Sequence, residues 1–409
     1  MKKLKTILIV VFAWLSYCSC SSGAKNNHAT SPANHNENLL VIDLDKADYV
    51  DRILYSSLFN PPRSILLETK DDCLIKCVSG VQIHQNRIYI LDNEYNKLLV
   101  YDMNGAFMYQ IGRVGMGPGE YSNITDFTID TQHQFLYMLN HYTNDIFKYS
   151  IEPVEFVEKI KTETADEYIF GIQYVAGSLY ANVAPAYEGK NKDLLMKINL
   201  PEGSLDTTFL DTDAYNRGFN IPLRAPGGFF HSRTSETPQY IQMFMDTIVT
   251  LSRNEVTPTV MIKSKDFASY EDIERLEKMN DEKGYFDMLS LEGKIHCISH
   301  YVEFNNYICF QFIKGHLRHY LLYNRITEET KITESFINDY VQTGDWITPF
   351  EIWFNDEKGV YSVLTQDYIP HFIKVAGLGE LSPTVDRYEE LRNMKEDVNP
   401  VIFFHEYKN

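Results

Sequence analysis

Cations are scarce in this chain of 409 residues: 38 lysines and arginines face 56 aspartates and glutamates, a formal net charge of −18. No lysine/arginine run follows the N-terminus. A phosphate-binding surface needs clustered cations, so nucleic acid is excluded as a partner. Long apolar runs are also missing. The longest, residues 7–15, is too short to cross a bilayer. Metal and catalytic patterns are thin: His296 and His300 have a zinc-like spacing but no intervening Glu. On a strand their imidazoles would stand roughly 13 Å apart, too far for one ion. His316 and His319 read as a solvated loop pair. No metal site, no catalytic residue and no resident cofactor is expected.

Alanine is sparse, whereas Tyr (28) and Phe (24) abound, and a 44% hydrophobic content supports a folded chain. Aromatic abundance suits strands better than helices. One pattern is written twice. The stretch from Ile88 to Asp102 slides by 48 positions onto Leu136 to Ser150, placing Tyr89 on Tyr137, Leu91 on Leu139, Asn96 on Asn144 and Tyr101 on Tyr149. Each copy reads strand, polar turn, strand, and a period in this range points to propeller blades.

The N-terminus reads as an address. Lys2, Lys3 and Lys5 precede the apolar run, which ends in Leu15-Ser-Tyr-Cys-Ser-Cys-Ser-Ser22. This resembles a bacterial lipobox, with Cys20, preceded by the small Ser19, as the preferred lipidation site. Cys18 follows the bulky Tyr17. An ordinary secretory signal is the simpler alternative. The expected organisation is a signal peptide over 1–20, a polar tether over 21–38 and one propeller over 39–409.

Taken in order, blade one should cover 81–111, with the Asn104-Gly105 pair marking its last hairpin. Blade two should cover 124–160, blade three 168–210, blade four 239–263 with an ill-defined first strand near 229–231, and blade five 298–336. Blade six shows strands at 350–354, 359–364 and 371–375 but no fourth. Closing a ring requires the chain ends to share a blade, so 64–67 or 401–407 should supply it. Two helices are expected. Ser269 and Asp272 have capping-box spacing before Tyr270, Ile273, Leu276 and Met279. Ser382-Pro383 precedes Val385, Tyr388, Leu391 and Met394 at helical spacing. Cys73 and Cys77 are too far apart on a strand to bridge. Cys297 and Cys309 could face each other across a hairpin, although buried thiols are the plainer reading.

The segment Ile111-Gly-Arg-Val-Gly-Met-Gly-Pro-Gly-Glu-Tyr121 resembles the Gly-x-Gly-Pro-Gly-Glu-Tyr signature of six-bladed β-propeller lipoproteins of Gram-negative envelopes, relatives of the NHL-repeat propellers. Asp246-Thr-Ile248 and Asn399-Pro-Val-Ile-Phe403 resemble further segments of that family. The resemblance implies an all-β fold of six four-stranded antiparallel blades with short helical insertions, anchored to the outer membrane by lipid. It leaves activity open: glycan capture is one suggested role, and some NHL-like relatives are calcium- or zinc-dependent lyases and lactonases. Asp126 and Glu303 fall on expected inner strands, but so do ordinary satisfied carboxylates, and no convergent set of ligands emerges.

The glycine-rich segment itself reads as an inter-blade turn, with an anion cradle of backbone amides and Arg113 as the sharper alternative. A nucleotide P-loop is excluded because no Gly-Lys-Ser/Thr follows. Strand parity then places a mouth. The second-to-third loops and the blade connections emerge at one end, gathering 92–96, 140–144, 184–192, 314–318, 366–370 and the insertion 269–292. Candidate ligand contacts on this rim are Arg113, Glu120, Tyr95, Tyr142, Tyr187, Trp346 and Tyr368, since tyrosine and tryptophan present rigid amphipathic rings to sugars or peptides. The expected function is a binding module for a glycan, peptide or protein. The alternative is a metal-dependent lyase or hydrolase.

Overall fold

The structure, a computed structural model, describes residues 39–164, 167–184, 192–219, 228–230, 237–279, 282–341, 352–379 and 381–408. Six small sheets form a six-bladed β-propeller. Blade one consists of Val78–His84, Arg87–Asp92, Lys97–Asp102 and Phe107–Ile111. Blade two runs from Asp126–Asp130 to Glu155–Lys161, and blade three from Tyr168–Val175 to Leu205–Asp211. Blade four begins with the short strand Gly228–Phe230 and ends with Val256–Lys263. Blade five runs from Ile295–Phe304 to Thr330–Thr333, and blade six starts with Ile352–Asn355. The first strand of each blade touches the first strands of both neighbours, and the series returns from blade six to blade one. That closed circuit is the ring.

There is no single core. Apolar layers lie between blade faces, because alternate residues of each strand point to opposite sides. Tyr89, Leu91 and Val100 of blade one meet Phe127, Leu136 and Met138 of blade two. Ile88, Ile90 and Leu99 on the other face meet Tyr361, Val363 and Ile402 of blade six. The same alternation explains why the strands read as continuous buried runs.

Closure uses both chain ends. The C-terminal strand Val401–Glu406 is the third strand of blade six, and Arg63–Leu66 is its fourth, paired antiparallel from Val401↔Leu66 to Phe404↔Arg63. Residues 371–375 are therefore not a strand. They belong to the helix Ile369–Gly377, which carries the chain out of blade six before it returns. Before reaching blade six the N-terminal segment runs as a belt along two other blades. Leu40–Asp43 adds a parallel fifth strand to blade four, and Asp48–Tyr49 does the same for blade five. The belt covers edges that would otherwise offer unpaired amides and carbonyls.

Other expectations shift in detail. The insertion before blade five is a helical pair, Tyr270–Met279 and Glu282–Leu291. Its capping box is formed: the Ser269 amide donates to Asp272 Oδ2 at 2.8 Å and the Asp272 amide to Ser269 Oγ at 3.2 Å. The helix expected after Ser382 shrinks to Tyr388–Arg392, because Arg387 in front of it is left-handed and breaks the run. Cys297 pairs with Ile313, and Cys309 with Val302, so the two thiols do not face each other. Both are buried, which pushes each up to about 12. Cys73 is also buried, whereas Cys77 is exposed. Residues 1–38, with Cys18 and Cys20, lie outside the described residues.

Candidate functional site

The repeated residues build the mouth. Asn96 and Asn144 occupy equivalent turns between second and third strands, both at positive φ (53° and 51°), where Asn is among the best-tolerated residues. Each side chain then reaches forward to the segment entering the next blade. Asn96 Oδ1 accepts from Asn123 Nδ2 at 2.7 Å and from the Ile124 amide at 3.2 Å. Asn144 Nδ2 donates to the carbonyls of Thr164 and Glu167, both at 2.7 Å. Tyr101 and Tyr149 reach back, donating to the carbonyls of Cys73 at 2.8 Å and Gly119 at 2.5 Å in the segments entering their own blades. At the seam Asn399 takes over, accepting from the Ile75 amide at 2.9 Å and donating to the carbonyls of Glu68 and Cys73. Around blades six, one and two the turns of this face are thus pinned by side-chain hydrogen bonds. They form a stiff platform.

On the platform stand the candidate rings. Tyr142 is 74% exposed and lies 4.0 Å from the His141 ring between centroids. Tyr95 is 48% exposed, with the Lys76 and Lys97 ammonium groups 5.9 and 5.4 Å from its ring centre. Tyr368 is 41% exposed, in the short 3-10 turn Gln366–Tyr368. That turn is tied to the entrance of blade one by Gln366 Nε2, which donates to the Ile75 carbonyl at 2.5 Å. Three rings on blades six, one and two therefore share one arc of the mouth. Tyr187 and Trp346 lie outside the described residues.

Between Tyr95 and Tyr142 along the chain comes the glycine-rich connection. Arg113–Val114 and Glu120–Tyr121 form a miniature parallel ladder. The Glu120 carboxylate folds into the loop, accepting from Arg113 Nε at 2.6 Å and from the Gly117 amide at 2.8 Å. These bonds, the Gly117 amide first and Arg113 second, hold Glu120 below the usual carboxylate range. The cation and the amide are already engaged by the loop's own anion, so the geometry is that of an inter-blade turn. Gly119 is required: its φ is +72°, and a Cβ there would stand 2.7 Å from the Phe156 side chain. Arg113 and Glu120 thus shape the loop that displays Met116, which is 94% exposed. Met116, Val114 and His141 stand on this face beside the candidates that the sequence offers, Met116 within the glycine-rich motif itself. A large apolar residue between two glycines was the available signal.

The carboxylates that a metal-dependent reading would use are engaged elsewhere. Asp126 Oδ2 accepts from the Ile172 amide at 2.8 Å and Oδ1 from the Phe127 amide at 2.9 Å, stitching blade two to blade three. Glu303 accepts from Tyr301 Oη at 2.5 Å and from Arg325 at 2.7 Å. Among the described residues no three His, Cys, Asp or Glu side chains gather as a metal site. Calcium or zinc does not fit these donors. His319, expected with His316 in a solvated loop, lies instead on the strand Leu317–Asn324 and is buried against the Phe312 ring; His296 is buried too, and burial lowers the proton affinity of both.

A family model described as "Domain of unknown function (DUF4934)" matches residues 39–406. The chain resembles the crystal structure of a protein from Bacteroides fragilis, provisionally described as exported. That match has a TM-score of 0.71 at 17% identity and covers 91% of this chain and 100% of the other. A member of the DUF4221 family from Bacteroides vulgatus gives a TM-score of 0.51 at 9% identity, covering 86% and 98%. At these identities the likeness concerns the fold. No curated protein matches the chain.

Proposed function

Since the chain belongs to the DUF4934 family, a domain of unknown function, we propose its role from the mouth: a non-catalytic binding module that holds a ligand against the arc of blades six, one and two. The observation that carries this reading is the pairing of exposed rings with pinned turns. Large apolar side chains left in water on one face mark interaction sites. Tyr95, Met116, Tyr142 and Tyr368 all belong to connections of the mouth. Rings on rigid turns lose little freedom on binding, so their contact area converts efficiently to affinity. A sugar ring or an apolar peptide side chain suits such rings. A glycan array probed with the purified chain tests the first of these. Binding that falls at least tenfold in Tyr142→Ala and Tyr95→Ala, with unchanged melting temperature, supports the arc. Undiminished binding in both variants overturns it.

Export fits the same reading, given the lipobox-like segment and the description of the Bacteroides fragilis relative. The envelope-facing arrangement would follow from the belt. Leu40 starts beside Val260 and runs parallel to it, and Asp43 finishes beside Lys263. Because the fourth strand of a blade ends at the mouth, the tether would join the ring on the opposite side. A lipid on Cys20 would then leave the mouth facing away from the membrane. Metabolic labelling with an alkyne fatty acid should mark the chain and fail in Cys20→Ser while persisting in Cys18→Ser. The reverse pattern would move the anchor to Cys18, and labelling of both variants would remove it from either.

A further inference from the structure

A cavity of about 420 Å³ lies on the side away from the mouth, where the belt passes from blade five towards blade six. Its blade wall is set by register. Tyr307 pairs with Asn324 and Leu322 with Lys331, while the Asn324 amide donates to the Glu329 carbonyl at 3.0 Å. Tyr307, Leu322, Asn324, Glu329 and Lys331 consequently share one face of the sheet. The belt supplies the other wall, including Arg52, Ile53 and Leu58. Ile53, Leu58 and Leu322 are buried and make an apolar floor. The exposed rim carries charge of both signs: Arg52, which also bonds Asp51, with Lys331 and Glu329. Glu329 and Lys331 are alternate residues on the same side of the chain, about 7 Å apart along it.

An apolar floor alone would accept any hydrocarbon, and a lone cation any anion. Opposite charges at neighbouring positions above an apolar floor select a zwitterion with an apolar body. We infer that this cavity binds a short unblocked apolar peptide of dipeptide size, its carboxylate towards Lys331, its ammonium towards Glu329 and its side chains on Ile53, Leu58 and Leu322. The volume lies within the range of small-ligand pockets and is too small for an extended polymer. Half of the wall belongs to the belt, so occupancy favours the closed ring by mass action and raises the melting temperature.

The test uses the full-length chain with leucyl-leucine, its N-acetyl derivative, its amide and decanoate as probes, in calorimetry and thermal shift. Leucyl-leucine should bind and raise the melting temperature, and blocking either end should weaken binding at least tenfold. Lys331→Met should weaken leucyl-leucine at least tenfold yet leave the amide unchanged. Glu329→Gln should weaken leucyl-leucine and leave the N-acetyl derivative unchanged. Both side chains are exposed, so neither variant endangers the fold. No binding of leucyl-leucine overturns the inference, as does equal binding by these variants. Decanoate binding as tightly as the dipeptide overturns it too, in favour of an anionic amphiphile.

Discussion

His405 is a residue whose chemistry is set by its surroundings. It lies on the C-terminal strand, fully buried beneath the rings of Tyr55, Phe59 and Phe403. Its Nε2 accepts from Asn338 Nδ2 at 3.0 Å, which requires a neutral ring, while Nδ1 has no partner among the described residues. Burial pushes its pKa down from 6.5 to about 3. Because the folded value lies below the unfolded one, the unfolded chain takes up a proton first as pH falls through 6.5. Stability present at neutral pH is then lost on the way to pH 3. Each such group contributes a slope of about 1.4 kcal/mol per pH unit in that window. Burial lowers His296 and His319 as well, so the wild-type slope is a sum. His405→Gln keeps an acceptor for Asn338 without the titration. Urea denaturation between pH 6.5 and 4.5 should show its slope smaller by about 1.4 kcal/mol per pH unit. An unchanged slope would mean that the ring is protonated in the folded state.

At the scale of elements, the twice-written pattern was legible because its meaning is local: turn, strand and spacing recur within a single blade. Asn144 shows what the repeated residue does. Its left-handed backbone and its two carbonyl contacts are separate contributions. Asn144→Gly keeps the backbone and should cost about 1–2 kcal/mol for the lost hydrogen bonds. Asn144→Ala should cost roughly 1–2 kcal/mol more for the left-handed strain. Equal losses on chemical denaturation would show that backbone conformation is irrelevant there. What the sequence concealed is non-local. Residues 371–375 alternate like a strand, but Pro370 starts a helix there, and the true third strand lies beyond a helical excursion at Val401–Glu406. Ring closure points to 64–67 or 401–407 as the missing strand, but that both are used, as third and fourth strands, leaves no periodic trace. The pairing of the belt was equally hidden: the strand-like run 41–44 does not name its partner, and a two-residue edge strand such as Asp48–Tyr49 has no pattern of its own. The rim of the mouth followed from strand parity alone. The cavity under the belt did not, because half of its wall comes from a segment whose position only the fold decides.

For the whole molecule the ring is held by two unlike devices, and truncation separates them. The C-terminal strand is interior to blade six, hydrogen-bonded on both edges, with Val401, Ile402 and Phe403 buried. Removing 401–409 detaches Arg63–Leu66 as well and leaves blade six with two strands. The gap then opens both flanking apolar layers, which join blade six to blades five and one. The belt over 39–50 is peripheral by comparison: blades four and five keep four strands without it. Its loss exposes the outer edges of both blades and gives up the burial of Ile42 and Leu44, about 3–6 kcal/mol in all. Deletion of 39–50 should therefore lower the melting temperature, keep a cooperative transition and promote edge-to-edge association visible by light scattering. Deletion of 401–409 should abolish the near-ultraviolet circular dichroism of the packed tyrosines. A folded, cooperatively melting chain without 401–409 would show that the ring does not need its last strand, and closure would have to reside in the contacts between neighbouring first strands.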